Sequence, residues 1–192
     1  LTSWFTGSVQ IVDRATQKTV KMLHGLKAPM DAQFLNDGSV VYAEIATGTI
    51  TRASGADFSE RKVIAADLAG PVQLLVGQNN DLYVTEAAGK LTRINLVDGS
   101  KTVVADKLAL PEGLAFTPWG SIVVAEAAAR RLTEIDLATG ARRTVAENLP
   151  IGLEAGPGLP PPYVATGVAV DADGTVYVSA DRNNAIYKIR PN

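Results

Sequence analysis

Residues 111–140 read PEGLAFTPWGSIVVAEAAARRLTEIDLATG, and the internal order of that stretch decides the fold. A short apolar run, Gly113–Phe116, meets a turn at Thr117–Gly120. A β-branched run follows at Ser121–Glu126, then a loop, a third run at Arg131–Leu137 and a ThrGly turn. Ala141–Leu149 supplies the fourth run. The same order starts again from Pro29 (PMDAQFLNDGSVVYAE), Pro71 (PVQLLVGQNNDLYVTE) and Ala165 (ATGVAVDADGTVYVSA). Four short strands repeating roughly every forty residues predict the blades of a β-propeller. A lone blade leaves both faces of its sheet uncovered, so neighbouring blades must stack face to face. The fold class is therefore all-β, a propeller of four-stranded antiparallel blades. The repeat carries no chemistry of its own, because one fold hosts many functions.

Working outward, the chain divides into a partial blade at 1–28, blades at 29–70, 71–110 and 111–149, a Pro/Gly-rich insertion at 150–164, and a partial blade at 165–192, all in one propeller domain. The turns at Asp37-Gly38, Asp98-Gly99, Thr139-Gly140 and Asp173-Gly174 offer the positive-φ positions that hairpins need. Both partial units own a third strand, so they do not merge into one blade. This predicts about four and a half blades here and six in the full protein, with a five-bladed ring as the alternative. In the insertion, Pro150, Pro157, Pro160, Pro161 and Pro162 exclude helix and central strand. Extra length inside a regular repeat either joins the binding face or pads the surface.

Hydrophobic residues make up 46% of the 192, enough for one sizeable core. No apolar run approaches the roughly 18 residues of a membrane span. The formal charge of −2, with both signs interspersed, leaves no nucleic-acid footprint. The absence of cysteine excludes disulfides and thiolate chemistry.

Strand direction alternates within a blade, so the loops that precede first strands and those that follow second strands share one face. The first strands begin with Met30 and Asp31, Val72 and Gln73, Glu112 and Gly113, Thr166 and Gly167. Asp31, Gln73 and Thr166 are candidate binding residues there. Glu112 interrupts the apolar pattern of its position and is the candidate cation ligand or general base. Glu44, Glu86 and Glu126 end three successive second strands in register, with Ala180 in the fourth place. They are further binding candidates, although a residue repeated in a repeat protein also suits a repeated local hydrogen-bonding job. His24, the one histidine, falls at the end of an outer strand, away from partners for a triad or a metal. The pair Arg142–Arg143 reads as solvated, and Asp171–Gly174 as turn chemistry.

The stretches at 111–140 and 166–189 (TGVAVDADGTVYVSADRNNAIYKI) resemble NHL-repeat propellers and, more loosely, the senescence-marker-protein/gluconolactonase family of six-bladed propellers. The resemblance runs along essentially the whole chain. It implies a secreted or periplasmic protein. For the lactonases it implies a divalent cation, calcium or similar, held by Glu, Asn and Asp at strand starts in Pro-Asn-Gly and Asp-Gly-Leu contexts. The matching places here read Pro111-Glu112-Gly113 and Ala165-Thr166-Gly167, so Glu and Thr replace Asn and Asp. A related propeller lyase that inactivates a streptogramin uses a histidine, and none is suitably placed here.

Two readings follow. In the first, the chain is a binding platform whose loop face holds a protein, peptide or glycan. In the second, it is a metal-dependent hydrolase of a lactone or ester, with Glu112 at the channel mouth.

Overall fold

Runs such as Val40–Glu44 are buried at every position, although successive side chains point to opposite faces of a strand. Both faces of such a strand must be covered, and the architecture shows how. The computed structural model describes residues 1–153, 156 and 166–190, and among them all regular structure is strand. Five sheets follow one another along the chain. The first holds β1 (Thr2–Ser3), β2 (Ser8–Val12) and β3 (Thr19–Leu23). The second holds β4 (Pro29–Phe34), β5 (Val40–Glu44), β6 (Thr49–Ser54) and β7 (Glu60–Ala65). The third holds β8 (Pro71–Val76), β9 (Asp81–Glu86), β10 (Lys90–Asn95) and β11 (Lys101–Ala105). The fourth holds β12 (Pro111–Phe116), β13 (Ser121–Glu126), β14 (Arg131–Asp136) and β15 (Arg142–Ala146). The fifth holds β16 (Val168–Val170), β17 (Val176–Ala180) and β18 (Ala185–Ile189). Each strand bonds to its neighbour in sequence, the meander of a propeller blade. Across the second and fourth sheets every pairing is antiparallel. Gly38, Gly99, Gly140 and Gly174 all take positive φ, as their turns require.

The chain forms two compact units, one of Leu1–Glu86 with Thr92–Thr102, the other of Ala87–Leu91 with Val103–Asn192. In the first, β5 faces two cores. Its Val41 and Ala43 join Ile50, Leu74, Leu82, Val84 and Ile94. Its Tyr42 turns the other way, to Val9, Leu23, Leu26 and Ala53. Burying each large apolar side chain contributes about 1.5–3 kcal/mol, so stacking is what stabilises a blade. In the second unit, Val123, Ala125 and Leu132 of the fourth sheet meet Val176 and Val178 of the fifth. Leu149 and the fully buried Ile151 complete that core, so the insertion begins as packed structure. Beyond Leu153 the segment singled out for its prolines, apart from Gly156, lies outside the described residues.

Two contacts repeat along the chain, one tying a sheet to the linker that follows it and one reaching back to the end of the sheet before. Residues 7, 48, 89 and 130 adopt left-handed backbone, and their carbonyls accept the amides of Leu26, Leu68, Leu108 and Leu149 at 2.9–3.0 Å. At Gly48 the fit is so close that a Cβ would stand 2.5 Å from the Leu68 oxygen. The first residues of β7, β11 and β15 supply the second contact or lie next to it. Arg61 donates to the His24 carbonyl at 3.0 Å, Lys101 to that of Ala66 at 2.5 Å, and Arg142 to that of Asp106 at 2.7 Å. Arg142 is therefore a tie between sheets and not simply solvated. Arg143 pairs with Glu134 at 2.5 Å, and Glu134 also accepts the Trp119 indole N–H. His24 is exposed.

Candidate functional site

The first strands β4, β8 and β12 break their ladders near their starts. β4 and β5 lose register between Pro29 and Asp31, β8 and β9 between Pro71 and Leu74, β12 and β13 between Pro111 and Leu114. Asp31, Gln73 and Glu112 thus stand in or at the end of β-bulges, which re-aim side chains out of the pleat.

In the first unit, Asp31 reaches across to the next sheet, where its Oδ2 accepts the Leu74 amide at 2.9 Å. Its Oδ1 takes the Ala32 amide at 2.8 Å. Burial pushes this carboxyl above its ordinary 3.8, and the two amides and the Gln33 side chain offset only part of that. Gln73, beside Leu74, donates its amide to Thr85 Oγ1 at 3.1 Å. In the second unit, Glu112 is 1% exposed, and its Oε2 accepts the Thr166 amide at 2.7 Å. Gly113 returns the bond, donating its amide to the Thr166 carbonyl at 2.9 Å. Glu112 and Thr166 are therefore neighbours, joined through main chain. The Thr166 hydroxyl is buried with no hydrogen-bond partner among the described residues.

Glu44, Glu86 and Glu126 each do the same local work. Their carboxylates accept the amides of Lys27, Ala69 and Ala109 at 2.7, 2.6 and 2.7 Å, always a residue just after the preceding sheet's last strand. The other oxygen accepts a threonine hydroxyl from the third strand, that of Thr51, Thr92 or Thr133. Glu126 adds Arg131, whose Nε donates at 2.8 Å. Burial works against the Glu126 charge, but Arg131, Thr133 and the Ala109 amide outweigh it and hold the carboxyl below its ordinary 4.5. Among the described residues no group of three His, Cys, Asp or Glu side chains is placed to hold one metal ion. No helix among them is long and apolar enough to cross a membrane.

A roomy cleft lies elsewhere, at the opposite ends of the strands in the first unit. It measures about 700 Å³ and opens where the β4–β5 and β8–β9 turns meet β7 and the β10–β11 turn. Sequence reading passed over it because its residues look like ordinary turn chemistry. One signal was available: Asn80 occupies the turn register where Gly38, Gly120 and Gly174 stand in the other repeats.

No protein-family model matches the chain, and no curated protein matches it in sequence. Solved structures do. A virginiamycin B lyase from Staphylococcus aureus superposes with a TM-score of 0.72 at 16% identity, over 98% of this chain and 61% of that one. A gluconolactonase from Xanthomonas campestris gives 0.66 at 18% identity, over 88% of this chain and 64% of that one. A chain from a nidogen/laminin complex gives 0.65 at 18% identity, over 97% of this chain and 76% of that one. The chain thus spans about three-fifths of the length of the lyase it matches. These proteins do different things on one architecture, and at such identities the likeness establishes the architecture alone. The chain is a β-propeller built of small, stacked antiparallel blades.

Proposed function

We propose that this chain is a binding platform, a propeller whose surface loops hold a protein, peptide or glycan partner. One observation carries the reading, namely how the acidic side chains are used. Glu44, Glu86 and Glu126 each accept one backbone amide and one threonine hydroxyl. Asp31 accepts the Leu74 amide of the neighbouring first strand, and Glu112 the Thr166 amide just before the next one. A general base or cation ligand needs lone pairs aimed at an open site. These carboxylates are turned to the scaffold instead, and they leave the loops free to vary for recognition. The nidogen/laminin neighbour, crystallised as a complex, supports the same reading.

The lactone-hydrolase reading rests on Glu112, fully buried beside the Thr166 hydroxyl, and on the gluconolactonase neighbour. Among the described residues no three His, Cys, Asp or Glu side chains stand together to hold one cation. Glu112→Gln separates the two readings, because a glutamine oxygen still accepts the Thr166 amide and preserves the fold. The platform reading expects that calcium titration calorimetry and gluconolactone hydrolysis give the same flat response for parent and variant. Calcium binding and turnover in the parent, both abolished in Glu112→Gln, would establish the hydrolase and end the platform reading.

A further inference from the structure

We propose that the cleft of the first unit binds an extended peptide segment carrying apolar side chains at alternate positions. This rests on the platform reading and goes beyond it, since it fixes the site and the ligand class.

The size is the first argument. About 700 Å³ lies within the roughly 300–1,000 Å³ typical of ligand pockets. The corresponding place in the second unit, beside the β12–β13 turn, holds only about 80 Å³, with Trp119 and Arg143 on its lining. The open cleft is therefore not a general consequence of stacking blades.

Its chemistry is layered. Leu35, Ile64, Val76 and Leu96 line it, and these half-buried side chains also pack on the core of the unit. They form an apolar floor for inserted side chains. Asn36, Gln78, Asn79 and Asn80 line the cleft as well. Each side-chain amide offers both donors and an acceptor, the complement of a peptide's alternating N–H and C=O groups. Four charges complete the lining, Arg52 and Lys62 against Asp37 and Asp98, and Arg52 already pairs with Asp37. The balance selects neither an anion nor a cation.

One wall is Lys62–Ile64 of β7, the last strand of its sheet, with no strand bonded on its outer side. An edge strand presents main-chain groups that another extended chain can pair. The Gly99 turn lies close to the Ile64 carbonyl, which leaves the Lys62–Val63 stretch for a ligand. Val63 is 53% exposed there.

The β8–β9 turn departs from its repeat in the direction this role requires. Gly38, Gly120 and Gly174 hold its equivalent position at φ 82°, 88° and 83°. Asn80 holds it at φ 61°, directly after Asn79 at 56°. Two successive left-handed non-glycine residues replace the residue for which that backbone is unstrained. The substitution puts an amide-bearing residue on the lining of the cleft.

The test begins with a random heptapeptide library displayed on phage and selected on the 192-residue chain. A recovered sequence is synthesised with a fluorescent label and titrated by anisotropy. The expected result is saturable binding by peptides with alternating apolar residues, weakened about tenfold in Asn80→Gly. That variant should keep or raise the thermal midpoint, because glycine is the repeat's own residue there. Val63→Lys, on an exposed edge, should fold and also weaken binding about tenfold. A peptide that binds parent and both variants equally would overturn the cleft as the site and leave the platform reading standing. A neutral oligosaccharide that binds in the cleft where no peptide does would overturn the peptide assignment. Failure of both peptide and glycan libraries to bind would overturn this inference and leave a folded protein as the one partner open to the platform reading.

Discussion

Gly113→Ala is expected to destabilise the second unit strongly, by one methyl group. A Cβ at Gly113 would stand 2.6 Å from the Thr166 oxygen, 2.7 Å from the Val168 nitrogen and 2.9 Å from the Gly167 carbonyl carbon. All three are main-chain atoms, which cannot swing aside as a flexible side chain does. The first strands β12 and β16 must separate, breaking the Gly113–Thr166 bond and the one from Thr166 to Glu112. Overpacking of this kind costs about 3 kcal/mol, at the upper end of its usual range. For a chain of this size that lowers the melting midpoint by roughly 6–12 °C. Gly167→Ala is the matched control, since its Cβ would meet only Ser179 Oγ, at an ordinary 3.7 Å. Differential scanning calorimetry of the two variants checks the contrast, and equal midpoints would refute the close approach.

The second large effect is expected at Glu126→Ala. The carboxylate is 0% exposed and accepts the Ala109 amide, the Thr133 hydroxyl and the Arg131 guanidinium. Truncation leaves the buried Thr133 hydroxyl and the half-buried Ala109 amide without an acceptor, at roughly 1–3 kcal/mol each, so a loss of about 3 kcal/mol is expected. Arg131 is 40% exposed and turns to water, so its loss adds little. Glu126→Gln keeps one acceptor oxygen and recovers part of the loss. The pH dependence has a definite sign. The folded carboxyl titrates below its unfolded 4.5. Its contribution is therefore fully present above pH 4.5 and disappears as pH falls through the lowered value. Urea unfolding of parent and variant should show a gap that is wide at pH 7 and narrows in acid. A gap independent of pH would mean that the charge contributes nothing.

The blades were legible because their signals are local. Val40–Glu44 and Ser121–Glu126 read as strands from β-branched composition, and Asp37-Gly38 or Asp98-Gly99 read as turns from the conformation glycine permits. The roles of the acidic residues were legible only as a register. Glu44, Glu86 and Glu126 recur in the sequence, but their partners are backbone amides of Lys27, Ala69 and Ala109, and a backbone amide leaves no mark in a sequence. The bulges at Met30, Val72–Gln73 and Glu112–Gly113 were hidden for a similar reason. They put two residues of one strand against too few of the next, which composition does not record. The left-handed series at Gly7, Gly48 and Gly89 was visible at a spacing of 41 residues, yet it passes to Arg130 and its pairing with leucines 19 or 20 residues on is a tertiary fact. The cleft was missed because Asn79-Asn80 reads as turn chemistry until the matching glycines are laid beside it.

Amide hydrogen exchange tests most directly whether the acidic side chains serve the scaffold. The amides of Lys27, Ala69, Ala109 and Thr166 lie outside the strands, and Lys27 and Ala69 are exposed residues. Ordinary loop amides at such places exchange quickly. Bonded to Glu44, Glu86, Glu126 and Glu112, these four should exchange as slowly as amides of the core strands. In Glu126→Ala, Ala109 should become fast while the other three stay protected. Rapid exchange at all four in the parent chain would show that the carboxylates are not held by the scaffold, and would return them to the list of residues available for chemistry.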